Sequence, residues 1–263
     1  MSKKIVPLLE FKNINVAGDG KKVLDSVSIR IFAGEHIAIL GPNGAGKSSF
    51  IKTITREYYP ISGRDSVFKV WGQDTWNIFD LRTTFGIVSN DLQYSFARDM
   101  SGMEMILSGF FSSIGLYRQF VTPKMKRKAK EIMAFLDISG LKDRVLTQMS
   151  SGEARRFLIG RALVHDPKAL ILDEPSNSLD LHALHKFRII LGKIARSGIG
   201  IILVTHNLSD IIPEISRIIL MKDGGFYKDG SKNELITAKN MSALFNTPVR
   251  VKKVRGYYYA FTS

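Results

Sequence analysis

The run Gly41-Pro42-Asn43-Gly44-Ala45-Gly46-Lys47-Ser48 constrains this chain more than any other feature, because it fits the pattern G-x-x-x-x-G-K-[ST]. Its glycines let backbone N–H groups close around phosphate oxygens, and the helix that follows points its positive end at them. Lys47 is placed to neutralise β- and γ-phosphates and Ser48 to ligate Mg²⁺, with Ser49 beside it on the same helical turn. In a chain of this length a chance match arises on the order of once in a hundred sequences. Here the run also lies between a short apolar strand, His36–Leu40, and a helix starting near Lys47, which is the setting the motif needs. An ordinary glycine-rich turn is the bland alternative.

Two further segments carry chemistry. Ala169-Leu170-Ile171-Leu172-Asp173-Glu174 reads as a buried strand ending in two carboxylates. Asp173 at the strand end suits a Mg²⁺ ion, directly or through water, and Glu174 suits the polarisation of an attacking water as a general base. Alone, such a run is common; a phosphate loop upstream gives it weight. Met149-Ser150-Ser151-Gly152-Glu153 precedes a helix starting near Ala154, and taken alone it reads as a capping arrangement with Glu153 facing back to the serine.

The rest of the chain alternates strand and helix signals. Leu9–Asn15 and Val27–Phe32 flank the turn residues Ala17-Gly18-Asp19-Gly20, and a strand pair is expected around Val67–Trp71 and Phe85–Val88. Strand signals return at Leu170–Leu172, Gly200–Val204 and Arg217–Met221, with helix-length spacers between them, which argues for a mostly parallel sheet. Between these regions, roughly 92 to 162, the character is helical: Met125, Ala129, Ile132, Met133 and Leu136 form one apolar stripe, with lysines and arginines off it.

The order of the parts points to a family. A phosphate loop, a serine–glycine helix start, an apolar strand ending Asp-Glu, then Ser176-Asn177-Ser178-Leu179-Asp180, then Val204-Thr205-His206, resembles the ABC ATPases from Leu9 to about Gly230. The resemblance implies a P-loop (RecA-like) α/β core, residues 1–91 and 163–263, with an antiparallel β-subdomain, and a helical subdomain inserted at 92–162. It implies that Gly41–Ser48 is the Walker A loop, that Ala169–Asp173 is Walker B, and that Glu174 is the catalytic carboxylate. Ser150, Ser151, Gly152 and Glu153 fall in the signature, Asp180 in the D-loop, and His206 at the switch histidine. In that family the signature of one subunit meets the γ-phosphate held by the P-loop of another, so the resemblance implies ATP and Mg²⁺ as cofactors and a homodimer or paired ATPase subunit. It further implies an integral-membrane permease as partner, and a place on the cytoplasmic face of the cell membrane.

Three departures accompany the resemblance. Ser151 and Glu153 stand where the signature usually has glycine and glutamine. Asn90 stands where a glutamine ordinarily reaches the metal, with Gln93 three residues on; either supplies a side-chain oxygen, and we assign the role to Gln93. The aromatic expected near Val16–Gly18 to stack on adenine is missing, and Phe11 sits too early to replace it. Ser-Ser-Gly-Glu followed by Arg155-Arg156, with Asp210–Arg217 after the histidine, is similar to the molybdenum- or iron-type transporter ATPases.

Composition narrows the alternatives. The 263 residues contain no cysteine, which excludes thiolate metal sites and cysteine nucleophiles. No apolar run approaches the ~20 residues that span a bilayer, so a soluble chain is expected, with any membrane role exercised through a partner. A net charge of +14, concentrated at Lys124–Lys130 and Arg250–Arg255, sustains a rival expectation: a soluble ABC protein acting on nucleic acid or a nucleic-acid machine. Finally, Ile106–Tyr117 lacks charge and carries Phe110 and Phe111. It is either core or the place where a membrane subunit docks, and docking requires one of the two rings to be partly exposed.

Overall fold

The computed structural model describes residues 5–18, 20–61, 63, 65–89, 96, 99–116 and 118–262. Its centre is a six-stranded sheet in the order β5(Phe85–Val88), β6(Ala169–Asp173), β7(Gly200–Thr205), β3(His36–Leu40), β8(Arg217–Lys222), β9(Gly225–Ser231). The first five run parallel, and β9 returns antiparallel on β8. Parallel strands are covered on both faces and read as unbroken apolar runs, as β6, β7 and β8 do.

Alternate residues of these strands enter two separate cores. Ala38, Leu40, Leu170, Leu172, Ile201 and Leu203 face a core shared with the helices, while Ile37, Ile39, Ala169, Ile171, Ile202 and Val204 face the other. The second core is closed by an antiparallel sheet of β2(Lys21–Ile31), β1(Leu9–Gly18) and β4(Val67–Val70), together with α1(Lys47–Ile54). Phe11 lies inside it, edge-on to both Phe50 and Phe68.

On the helical face sit α3(Gly102–Ser108), α4(Pro123–Phe135), α5(Ser151–Leu163) and α6(Leu181–Arg196); α2(Ile78–Thr84) leads into β5. The expected stripe holds on α4, with Ala129, Ile132, Met133 and Leu136 buried. Thr122 caps this helix and Pro123 opens it, where the missing N–H costs nothing.

Val67–Val70 and Phe85–Val88 are both strands but do not pair. β4 joins β1 in the antiparallel sheet and β5 forms the edge of the parallel one, separated by the turn-capped helix α2. The chain ends with α7(Lys232–Leu235), α8(Ala238–Phe245) and a hairpin of β10(Val249–Val254) and β11(Tyr257–Thr262), which packs on the turn after β7. Among the described residues, no helix is long and apolar enough to cross a membrane.

Candidate active site

Strand order assembles the site. β7 lies between β6 and β3, with Asp173 in register with Val204 and Leu40 with Thr205. The loops leaving the carboxyl ends of all three strands therefore meet at one sheet edge, where ligands of open α/β sheets bind. Those loops carry Gly41–Ser48, Asp173–Glu174 and His206.

The loop after β3 is tightly fixed. A Cβ on Gly41 would lie 2.3 Å from the Met221 carbonyl oxygen, and Gly46 has φ of +100° with the Val23 carbonyl 2.8 Å from where its Cβ would be. Only glycine fits at either position. Gly46 is also the N-cap of α1 and offers no side chain to the first turn, so the N–H groups there remain open to a ligand. Lys47 is buried; its Nζ donates to the Gly41 and Pro42 carbonyls, each at 2.9 Å. Pro42 and Ser49 are half-buried, Asn43, Gly44 and Ser48 are exposed, and Ala45 packs into the core below.

Glu174 lies at the junction of the three loops. Its Oε1 is 3.3 Å from Lys47 Nζ and 3.1 Å from His206 Nδ1, and Asn177 donates to its Oε2 at 2.9 Å. Burial raises the Glu174 carboxyl, but the hydrogen bonds from Asn177 and His206 and the charges of His206 and Lys47 outweigh it and leave the pKa below the usual carboxylate range. The group is thus a carboxylate at neutral pH. Its backbone holds φ at +45°, a strained conformation for a non-glycine residue, fastened by the Glu174 N–H to Val204 carbonyl bond at 2.8 Å.

Ser48 and Asp173 line one cavity of about 690 Å³ that runs between α1, α2 and β5 to Ile78 and Ile114. A hydroxyl and a carboxylate are hard oxygen donors that suit Mg²⁺, and no group of three acidic or imidazole side chains stands ready to hold a metal among the described residues. Asn90 and Gln93, the two candidates for a further oxygen, lie outside the described residues, as do Asp19 and Tyr117. Near Gly18 the side of the Tyr58 ring occupies the space a Cβ would take, at 3.2 Å.

The remaining residues gather elsewhere. Ser150, Gly152, Glu153 and Asp180 line a second cavity that shares no residue with the first. Ser150 caps α5: its Oγ accepts from Glu153 N–H at 3.2 Å, and Glu153 Oε2 accepts from Ser150 N–H at 2.8 Å. The capping reading of the sequence is therefore correct, and it is compatible with ligand contact. The same hydroxyl bonds the Glu153 carboxylate, and a hydroxyl rotor can turn its proton to another acceptor. Ser151 Oγ donates to the Ser178 carbonyl at 2.9 Å, and Asp180 caps α6 through the Ala183 N–H at 2.7 Å, so the two loops are one unit. The sequence marks Asp210 only as the start of the Asp210–Arg217 run and assigns it no role; it is fully buried beside Thr205, a neighbour that periodicity does not supply.

The chain is also similar to known proteins in sequence and in fold. Residues 24–177 match the family model described as ABC transporter. The chain is 34% identical over 248 residues to the ABC transporter ATP-binding protein YlmA of Bacillus subtilis, covering 93% of each. Among solved structures it resembles cbiO1 from Clostridium perfringens, part of the ABC transporter complex cbiONQ, with a TM-score of 0.76 at 26% identity over 92% of this chain and 95% of that one. The ADP conformation of MJ1267, an ATP-binding cassette of an ABC transporter, gives a TM-score of 0.76 at 26% identity, covering 91% and 97%.

Proposed function

The chain belongs to the ABC transporter family as an ATP-binding, ATP-hydrolysing subunit, and from that premise we propose that two such chains close face to face on two ATP molecules and so drive a separate membrane subunit. One observation carries the proposal. Lys47, Glu174 and His206 converge within hydrogen-bonding range, whereas Ser150 and Gly152 open on a different cavity. A signature that does not share its own chain's phosphate site can serve the site of a second chain.

In this reading the N–H groups of Gly44–Ser48 and the Lys47 ammonium bind the β- and γ-phosphates. Ser48 and Asp173, with a side chain from the Asn90–Gln93 segment, would hold Mg²⁺, and the ion would supply charge neutralisation. Glu174 orients the attacking water and draws its proton, and His206 holds Glu174 and faces the γ-phosphate. Ser150 donates its hydroxyl proton, and Gly152 and Asp180 shape the contact, from the opposing chain. Phosphoryl transfer asks for little beyond positioning and charge. The cavity rimmed by Ile78 and Ile114 is where the membrane subunit docks.

Glu174→Gln tests the reading. The amide keeps the shape but cannot accept the water's proton, so turnover should fall roughly 10²- to 10⁴-fold while ATP binding persists. The variant should accumulate as a dimer in ATP and Mg²⁺ by light scattering. A monomer under those conditions would overturn the face-to-face arrangement.

A further inference from the structure

Asp210 is a fully buried carboxylate that the hydrolytic scheme above does not use. It ends the short 3₁₀ turn Leu208–Asp210, directly after the strand and histidine of β7. Thr205 Oγ1 donates to Asp210 Oδ2 at 2.6 Å, and the same Thr205 oxygen accepts from the Asn207 N–H at 2.9 Å. One hydroxyl therefore clasps the residues on either side of His206, and Asp210 fixes that hydroxyl's rotamer.

Two other elements converge on the same carboxylate. Ser176, two residues beyond Glu174, opposes the effect of burial on this carboxyl. Arg188 of α6 faces it with its charge and donates to the Ser209 carbonyl. The guanidinium is covered in turn by Tyr257 and Tyr259 of β11, with ring centroids 4.5 and 5.9 Å away. The terminal hairpin thus covers Arg188, Arg188 holds the Ser209 carbonyl, and the neighbouring Asp210 holds Thr205 beside His206.

We propose that Asp210, braced by Arg188 under the terminal hairpin, is a positioning residue that holds His206 against Glu174. The proposal rests on the reading of His206 as part of the hydrolytic site. It follows from the cost of the alternative. A buried carboxylate that served packing alone would be replaced by an apolar side chain without loss, since desolvating a charge is unfavourable. Here burial does raise the Asp210 carboxyl, and the Thr205 bond, Ser176 and the charges of Arg188 and His206 pull the other way. The hydrogen bond it accepts at 2.6 Å is from Thr205, the residue immediately before His206.

A double-mutant cycle on ATP turnover by the full chain decides between positioning and structure. Asp210→Ala should lower kcat about 10- to 100-fold, the scale of a misplaced catalytic group, while KM for ATP stays within about twofold. In a His206→Ala background the same change should have no further effect, because there is no imidazole left to hold. Asp210→Asn, which keeps an acceptor for Thr205, should recover most of the loss. Should Asp210→Ala not fold, Tyr257→Leu takes its place in the cycle, with a smaller effect of the same pattern. An equal loss of kcat with and without His206 would overturn the proposal while leaving the site reading intact. Normal turnover by His206→Ala alone would remove the role of the histidine itself, and the proposal with it.

Discussion

Ser150 serves two demands with one atom. Its oxygen closes the capping box of α5 by accepting from the Glu153 N–H, and its hydroxyl also bonds the Glu153 carboxylate. Glu153 replaces the glutamine usual in that place, and its carboxyl is held below the ordinary range, chiefly by the Ser150 N–H, despite some burial. Glutamine closes the same box, so Glu153→Gln should leave both the melting temperature and hydrolysis near normal. Ser150→Ala should cost about 0.5–2 kcal/mol of stability, read as a lower Tm, and reduce hydrolysis beyond what that loss explains. At this scale the site was largely legible. Lys47, Asp173, Glu174 and His206 sit in motifs whose spacing is local, and the structure brings Lys47, Glu174 and His206 together. Asp210 and Arg188 were not legible, because their significance lies in neighbours supplied by other elements.

Elements show a similar division. The β3–α1 unit, the stripe on α4 and the apolar runs of β6 to β8 follow from period and composition, and within the stretch expected to be helical, 92–162, the described residues form α3, α4 and most of α5. Partner choice does not. Val67–Val70 and Phe85–Val88 carry strand signals, yet one ends in each sheet, since pairing is settled by which core accepts each face. The charge-free stretch is itself divided: Ile106 and Leu107 are core, Phe110 and Phe111 are half-buried, and Ile114 is 41% exposed at the rim of the large cavity. Phe110 packs edge-on against His165. Ile114→Ser should therefore weaken copurification of a membrane subunit from detergent extracts without lowering Tm. A marked fall in Tm would instead identify the position as core, where large apolar truncations cost about 2–5 kcal/mol.

At the scale of the whole molecule, two basic blocks stand out on the surface. Lys124, Lys126, Arg127 and Lys130 lie exposed on α4, and Arg250, Lys252, Lys253 and Arg255 on the terminal hairpin. Neutralising either block should leave ATP turnover unchanged, and filter binding to DNA or RNA at low ionic strength should show no salt-sensitive complex. Binding that fell steeply with salt, at a log–log slope of about −0.9 per phosphate neutralised, would favour the nucleic-acid alternative. The strand order has a consequence for synthesis as well. Both neighbours of β3 in the sheet, β7 and β8, come from beyond residue 199. While the chain is being made, the largely apolar strand that carries the phosphate loop has neither of its sheet neighbours until most of the chain has been synthesised. Unpaired strand edges of this kind expose an incomplete chain to aggregation, so the hydrolytic site and the protection of its central strand arrive together, late in synthesis.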